Sequence, residues 1–306
     1  MASTKKKTKS TRNQVLIVES EKGGMGKSMV ARVVTEQMLA VQTQFYLFDA
    51  DSSTPNVGLT YKKELYERLL AFAGQSAPTL VAEDPTVPLE LNERIIFSGD
   101  PSTYYKADRI FTYAEQQNVL LILPSQVKEY VDRWLDDNDV LEMIEDPANN
   151  IDIVRFFVTN GTPESLDLFY ESVESTKGKI PYVLVKNRGV TTDIDWRWFD
   201  HDGKVAGYLG KYGFKSIDFP ELSLDPLVKN KIMGEKIPFG EAMTSGWMEK
   251  QKPSIRRLNK WLREATIALG STGYIPYHPN YQPLPATESA AGESLVTDNA
   301  PELQPA

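Results

Sequence analysis

The stretch Glu21-Lys22-Gly23-Gly24-Met25-Gly26-Lys27-Ser28 follows directly on the apolar run Val15-Leu16-Ile17-Val18 and leads into Val30, Val33, Val34, Met38 and Val41 at helical spacing. A strand, a glycine-rich turn and a helix in that order leave little freedom in fold class. The turn and the first helical residues aim several backbone N–H groups at one point, where the helix dipole also favours negative charge. A phosphate chain fits there, with Gly23, Gly24, Met25 and Gly26 as its cradle, Lys27 as its cation and Ser28 as a hydroxyl beside it. Glu21 stands at the first glycine of the ordinary G-x-x-x-x-G-K-[ST] pattern, so the loop is a K-G-G-x-G-K-S variant. The competing account is a glycine-rich turn with incidental lysines.

Beyond the loop, short apolar runs alternate with helical patterns, the signature of an α/β fold with a mostly parallel sheet and helices on both faces. The spacing predicts about seven strands, at Val15–Val18, Phe45–Phe48, Arg94–Phe97, Val119–Leu123, Ile153–Val158, Tyr182–Val185 and Ser216–Phe219. A helix start is marked at Thr162-Pro163-Glu164-Ser165, with Thr162 as N-cap and proline at the first helical position. The acidic stretch Asp132 to Asp146 reads as a solvated helix face in preference to an acidic binding site.

The chain has 306 residues, 41% hydrophobic and 25% charged, enough for one sizeable core. Residues 1–13, rich in Lys, Thr and Ser, read as a disordered basic arm; 14–270 form the folded domain; 271–306, rich in Pro, Ala, Glu and Ser, read as a disordered tail. There is no cysteine, which removes disulfide, iron–sulfur and cysteine–zinc chemistry, and the two histidines, His201 and His278, lie far apart. No apolar run reaches the roughly eighteen residues of a membrane span, and no apolar segment backs the basic N-terminus as in a signal peptide. A cytoplasmic location without membrane contact is expected. The formal charge of -8 leaves any nucleic-acid contact to a local patch.

Three further segments carry candidate chemistry. Phe45-Tyr46-Leu47-Phe48-Asp49-Ala50-Asp51 places two carboxylates at i and i+2, on one side of a strand at its carboxyl end, the ligand edge of an open α/β sheet. Asn56 follows in Ser52-Ser53-Thr54-Pro55-Asn56, where a plain turn is the alternative reading. Asn187 ends the apolar run Tyr182–Val185 and offers a donor and an acceptor together, as an adenine edge requires; a strand-end turn is its alternative. Finally, Leu227 to Arg263 holds nine basic residues against three acidic, a net +6. Within it Ile255, Leu258, Leu262, Ala265 and Leu269 share one helical face, and Arg256, Lys260 and Arg263 turn away from it. DNA phosphate contact and a packed helix with solvated cations both account for that pattern.

The loop resembles that of the ParA/MinD family of dimeric ATPases, and Asp49 to Asn56 resembles the D-x-D and switch segment that follows it there. The resemblance covers about residues 14–270 in layout and implies a P-loop NTPase fold of the SIMIBI type, binding ATP and Mg²⁺. It implies that Lys22 reaches across a homodimer to the partner's nucleotide and that Lys27 holds the β- and γ-phosphates. Ser28 would ligate Mg²⁺, with Asp49 supporting its shell; Asp51 would orient the attacking water, Asn56 act as a switch asparagine, and Asn187 read adenine.

One part departs from the family. Val119-Leu120-Leu121-Ile122-Leu123-Pro124-Ser125-Gln126 matches its Walker B segment, but Ile122 stands where the acid belongs. The segment is also similar to plasmid mobilisation accessory proteins of the same fold. The implied function is an ATP-binding dimeric switch with slow hydrolysis, coupled to nonspecific DNA or to a stimulating or cargo-adaptor protein in partition, positioning or mobilisation. A non-hydrolysing nucleotide-dependent adaptor, and a small-molecule kinase or ligase on the same scaffold, remain open alternatives.

Overall fold

The structure, a computed structural model, describes residues 12–51, 55–65, 95–190, 196, 199 and 203–276. Among the described residues six strands form one parallel sheet: β1 (Asn13–Glu19), β2 (Phe45–Asp49), β3 (Asn118–Ile122), β4 (Ile151–Thr159), β5 (Tyr182–Asn187) and β6 (Lys215–Phe219), in the order β2-β3-β1-β4-β5-β6. Each lies within a residue or two of an apolar run read from sequence, except that no strand forms at Arg94–Phe97. Arg94 lies outside the described residues, and Ile95 to Phe97 are irregular. Ile95 and Phe97 are nevertheless 3% and 4% exposed. Their apolarity serves the packing against Trp134, whose ring meets Phe97 edge-on at 5.5 Å, and not a strand ladder.

Because all strands are parallel, both faces of the sheet are covered, and side chains alternate between two apolar layers. Leu16, Val18, Leu120, Val154, Phe156 and Val183 face helix α1 (Lys27–Ala40) and the C-terminal helices. Val15, Ile17, Val119, Leu121, Phe157 and Leu184 face the helices Lys128–Asp137 and Pro163–Ser175 on the other side. The second of these begins as its sequence announces, with the Thr162 hydroxyl accepting from the Ser165 N–H at 3.3 Å.

α1 is buried over its whole circumference from Val30 to Leu39, polar residues included. Helices Pro226–Gly234, Phe239–Thr244 and Lys252–Gly270 cover the side turned away from the sheet. Its polar side chains therefore need partners inside the protein. Arg32 donates to the Ile237 carbonyl and stacks 4.3 Å over the Phe239 ring. Glu36 accepts from the Tyr61 hydroxyl at 2.9 Å and the Gly240 N–H at 3.2 Å, and Gln37 donates to the Pro276 carbonyl at 2.7 Å.

The ends of the folded domain extend slightly past the sequence boundaries. Asn13, assigned to the basic arm, opens β1, and Arg12 pairs with Asp152 at 3.3 Å. Ile275, assigned to the tail, is 3% exposed in the core. The rest of both segments, residues 1–11 and 277–306, lies outside the described residues.

Candidate functional site

The carboxyl ends of β1, β2, β3 and β5 bring Ser20–Ser28, Asp49 with Asp51, Ser125 and Asn187 to one edge of the sheet. β1 sits at the centre with β3 on one side and β4 on the other, the kind of switch point where open α/β sheets bind ligands. Between β1 and α1 the loop turns through Gly24 at φ +75° and Gly26 at φ +93°. Gly26 is the left-handed cap of α1, and a Cβ there would lie 2.1 Å from the Asn187 side-chain nitrogen. Met25, 8% exposed, anchors the loop in the core beneath.

Gly23 and Gly24 are exposed, and the space above them is open. A Cβ on Gly24 would meet nothing within 4 Å, and one on Gly23 only the Ser125 hydroxyl, at 4.0 Å. Lys27 opens α1, and its ammonium donates to the Ser125 hydroxyl at 2.7 Å and to the Ser20 carbonyl at 3.4 Å. Burial pushes its pKa down, while the charges of Asp51, Glu21 and Glu19 oppose that shift. Ser28 is exposed on the first turn. An open glycine cradle with an ammonium held at a helix N-terminus is the arrangement a phosphate chain requires.

Glu21 takes on a role that the sequence pattern hid. Its carboxylate, half-buried, lies close enough to the start of the helix Lys128–Asp137 for the Lys128 N–H to favour its charged form. Burial and the neighbouring Glu19 raise its pKa. Beneath it, Arg155 and Glu19, 1% and 2% exposed, form a bidentate pair: Arg155 Nε donates to Glu19 Oε1 at 2.9 Å and Nη2 to Oε2. Asp132 lies 3.8 Å from the same guanidinium and accepts from Lys128 at 2.6 Å. Removing one partner of such a buried pair strands a charge, at a cost of about 3–5 kcal/mol. The signal was present in the sequence: an arginine in the middle of the apolar run Ile153–Val158 needs a buried counter-charge.

Asp49 ends β2, and its Oδ2 accepts from the Val57 and Gly58 N–H groups at 2.9 and 3.2 Å. These are the unpaired donors at the start of the helix over residues 56–65, so Asp49 caps that helix from a distance. Burial raises its carboxyl pKa to about 6 against the pull of those donors. Asp51 is half-buried, and its charge is felt by Lys27. Asn56 is exposed at the start of the same helix, and its carbonyl accepts from Thr60 at 2.6 Å; Ser52 to Thr54 lie outside the described residues.

Lys22, 37% exposed, forms an ion pair with Glu164 in the first turn of Pro163–Ser175 and holds that carboxyl below its usual range. Asn187, 4% exposed, donates to the Met25 carbonyl at 2.8 Å and accepts from the Gly189 N–H at 3.0 Å. Its amide thus pins the loop from below, with one N–H and one lone pair left over. Ile122, 2% exposed, packs in the apolar layer against α1, at the register position facing Asp49.

The basic candidates do not join this edge. Arg256, Lys260 and Arg263 are exposed on the outer side of Lys252–Gly270, whose inner side is buried at Leu258, Trp261, Leu262, Ala265 and Leu269. Trp261, which the spacing analysis passed over, donates to the Pro220 carbonyl at 2.8 Å. For a metal, no group of three or more His, Cys, Asp or Glu side chains with metal-holding geometry exists among the described residues. Of the side chains at the loop, the exposed Ser28 hydroxyl is an oxygen donor of the kind that magnesium takes.

No protein-family model and no curated protein matches the chain. Among solved structures it is similar to a nucleotide-binding protein from Archaeoglobus fulgidus in complex with ADP, at 15% identity over 88% of this chain and 94% of that one, with a TM-score of 0.39. A plasmid partition protein from Borrelia burgdorferi matches at 14% identity over 82% and 100%, TM-score 0.39. MinD in the MinC:MinD cell division complex of Aquifex aeolicus matches at 15% identity over 89% and 99%, TM-score 0.42. What these proteins bind is a property of theirs.

Proposed function

We propose that the chain is a nucleotide switch of the ParA/MinD type, which binds ATP with Mg²⁺ at the Lys22–Ser28 loop, dimerises on doing so and hydrolyses slowly. The observation that carries this reading is the Lys27 ammonium, half-buried beside the open Gly23–Gly24 cradle with Asp51 near it. Lys27 serves the β- and γ-phosphates, Ser28 the metal, and Asn187 steadies the loop while its remaining N–H and lone pair face the adenine edge. Bound magnesium would supply charge neutralisation along the phosphates. Asp51 orients water for attack, Asp49 keeps the helix over residues 56–65 in place beside the metal shell, and Asn56 reports the state of the site from that helix.

Lys22 completes the site of the second copy. In the free chain Glu164 holds it, so closing the dimer exchanges one anion for another, a carboxylate for the partner's phosphates. The buried Ile122 favours slow turnover, and it is also what supports the second reading, a nucleotide-dependent adaptor that does not hydrolyse. The closed dimer engages DNA through Arg256, Lys260 and Arg263, or a protein partner, in cargo partition, positioning or mobilisation. No described helix is long and apolar enough to cross a membrane.

Sedimentation with Mg·ATP tests the assembly. The wild type is expected to form ATP-dependent dimers, and Lys22→Gln to remain monomeric while still binding nucleotide. Unchanged dimers in Lys22→Gln would remove the sandwich, and turnover indifferent to Asp51→Ala would favour the adaptor.

A further inference from the structure

Ser125 lies three residues past the isoleucine that replaces the expected acid, in the short connection between β3 and the helix Lys128–Asp137. That connection is held at both ends. The Leu123 N–H donates to the Val18 carbonyl at 3.0 Å, Leu123 and Val127 are buried at 2% and 7% exposure, and the Val127 carbonyl accepts from the Val131 N–H at 2.9 Å. Between them Gln126 turns the chain at φ +62°, a conformation rare for a residue with a side chain. Backbone strain of this kind persists only where its surroundings hold it.

The result is a hydroxyl fixed over the cradle. Ser125 Oγ accepts from Lys27 Nζ at 2.7 Å, and it is the first atom that a Cβ on Gly23 would meet, at 4.0 Å. A serine hydroxyl that accepts from an ammonium keeps its own proton to donate, and acceptance from a cation strengthens that donation. Lys27 has three N–H donors, of which two face Ser20 and Ser125, so the third and the Ser125 proton can converge on one anion.

We propose that Ser125 reads the terminal phosphate: its hydroxyl accepts from Lys27 and donates to a γ-phosphate oxygen, and so gives the site its preference for a nucleoside triphosphate over a diphosphate. The inference rests on the nucleotide-switch reading above. It assigns to a neutral hydroxyl part of the sensing for which Ile122 offers no acid. A hydroxyl places no second negative charge beside the phosphates, so it favours retention of the triphosphate over its rapid turnover.

The test is calorimetric titration of the full chain with Mg·ATPγS and, separately, Mg·ADP, for the wild type, Ser125→Ala and Ser125→Thr. Ligand-free thermal midpoints for all three show that each variant is folded. Ser125→Ala is expected to bind ATPγS roughly tenfold more weakly, the worth of one hydrogen bond to a charged acceptor, with ADP affinity held within about twofold. Ser125→Thr, which keeps the hydroxyl, retains the wild-type ratio. An unchanged ratio in Ser125→Ala, or an equal loss for both nucleotides, overturns the inference and leaves the nucleotide reading standing. A wild type that binds neither nucleotide overturns both.

Discussion

Gly26 occupies a backbone position, φ +93°, that side-chain-bearing residues rarely adopt, and the place of its missing Cβ is taken by Asn187. Gly26→Ala is therefore expected to push the Asn187 amide off the Met25 carbonyl and open the loop. A loss of about 2 kcal/mol or more in urea unfolding, with nucleotide binding abolished, is the expected outcome. A variant with wild-type stability and binding would show that the loop does not depend on this contact. The glycine turn and the start of α1 at Lys27 were legible at this scale because a strand, a glycine-rich turn and a helix have a sequence spelling. Ser125 was not, and Arg155 announced a buried counter-charge without naming it, since each acts through a partner distant in sequence: Lys27, and Glu19 on a neighbouring strand 136 positions away.

Among the elements, the helix over residues 56–65 depends on a carboxylate that belongs to β2. Asp49 accepts the Val57 and Gly58 N–H groups, yet burial raises its pKa from 3.8 to about 6. Between those values the folded chain binds the proton more tightly than the unfolded chain, so stability falls as pH rises through that window. Asp49→Asn keeps an acceptor for both N–H groups and has no proton to lose. Urea midpoints measured from pH 4 to 8 should therefore shift in the variant's favour up to about pH 6 and then run parallel to the wild type. Parallel curves throughout would mean that Asp49 is not desolvated.

Four strands beyond the first could be read from apolar runs because a parallel sheet buries both faces and needs continuous apolar segments, while β6, at the sheet edge, alternates buried Ile217 and Phe219 with exposed Ser216 and Asp218. Ile95 and Phe97 have the same composition but belong to a packed connection, which periodicity over so short a run does not distinguish from a strand. In α1 the apolar stripe identified the face on the sheet. It gave no sign of the second face, whose Arg32, Glu36 and Gln37 find their partners in later parts of the chain, at Ile237, Gly240 and Pro276.

For the whole molecule, the loop edge of the sheet and the outer side of the helix Lys252–Gly270 are two distinct surfaces. The loop edge collects the groups proposed to bind phosphate, and the helix Lys252–Gly270 carries exposed cations on an otherwise acidic chain. Binding through such cations releases counterions and weakens steeply with salt. Retention on nonspecific duplex should then depend on ATP, fall with added salt and fall again in Arg256→Ala with Lys260→Ala. Retention indifferent to salt and to both substitutions would leave this helix a packing element only.

The nucleotide site underlies every other step, and calorimetric titration of Mg·ATP into the wild type and Lys27→Ala addresses it directly. The wild type should saturate at one nucleotide per chain. Lys27→Ala, folded by its thermal midpoint, should bind roughly a hundredfold more weakly, as expected for loss of a charge-assisted phosphate contact in a half-buried site. Equal affinity in the two proteins, or no saturable binding in the wild type, would contradict the account.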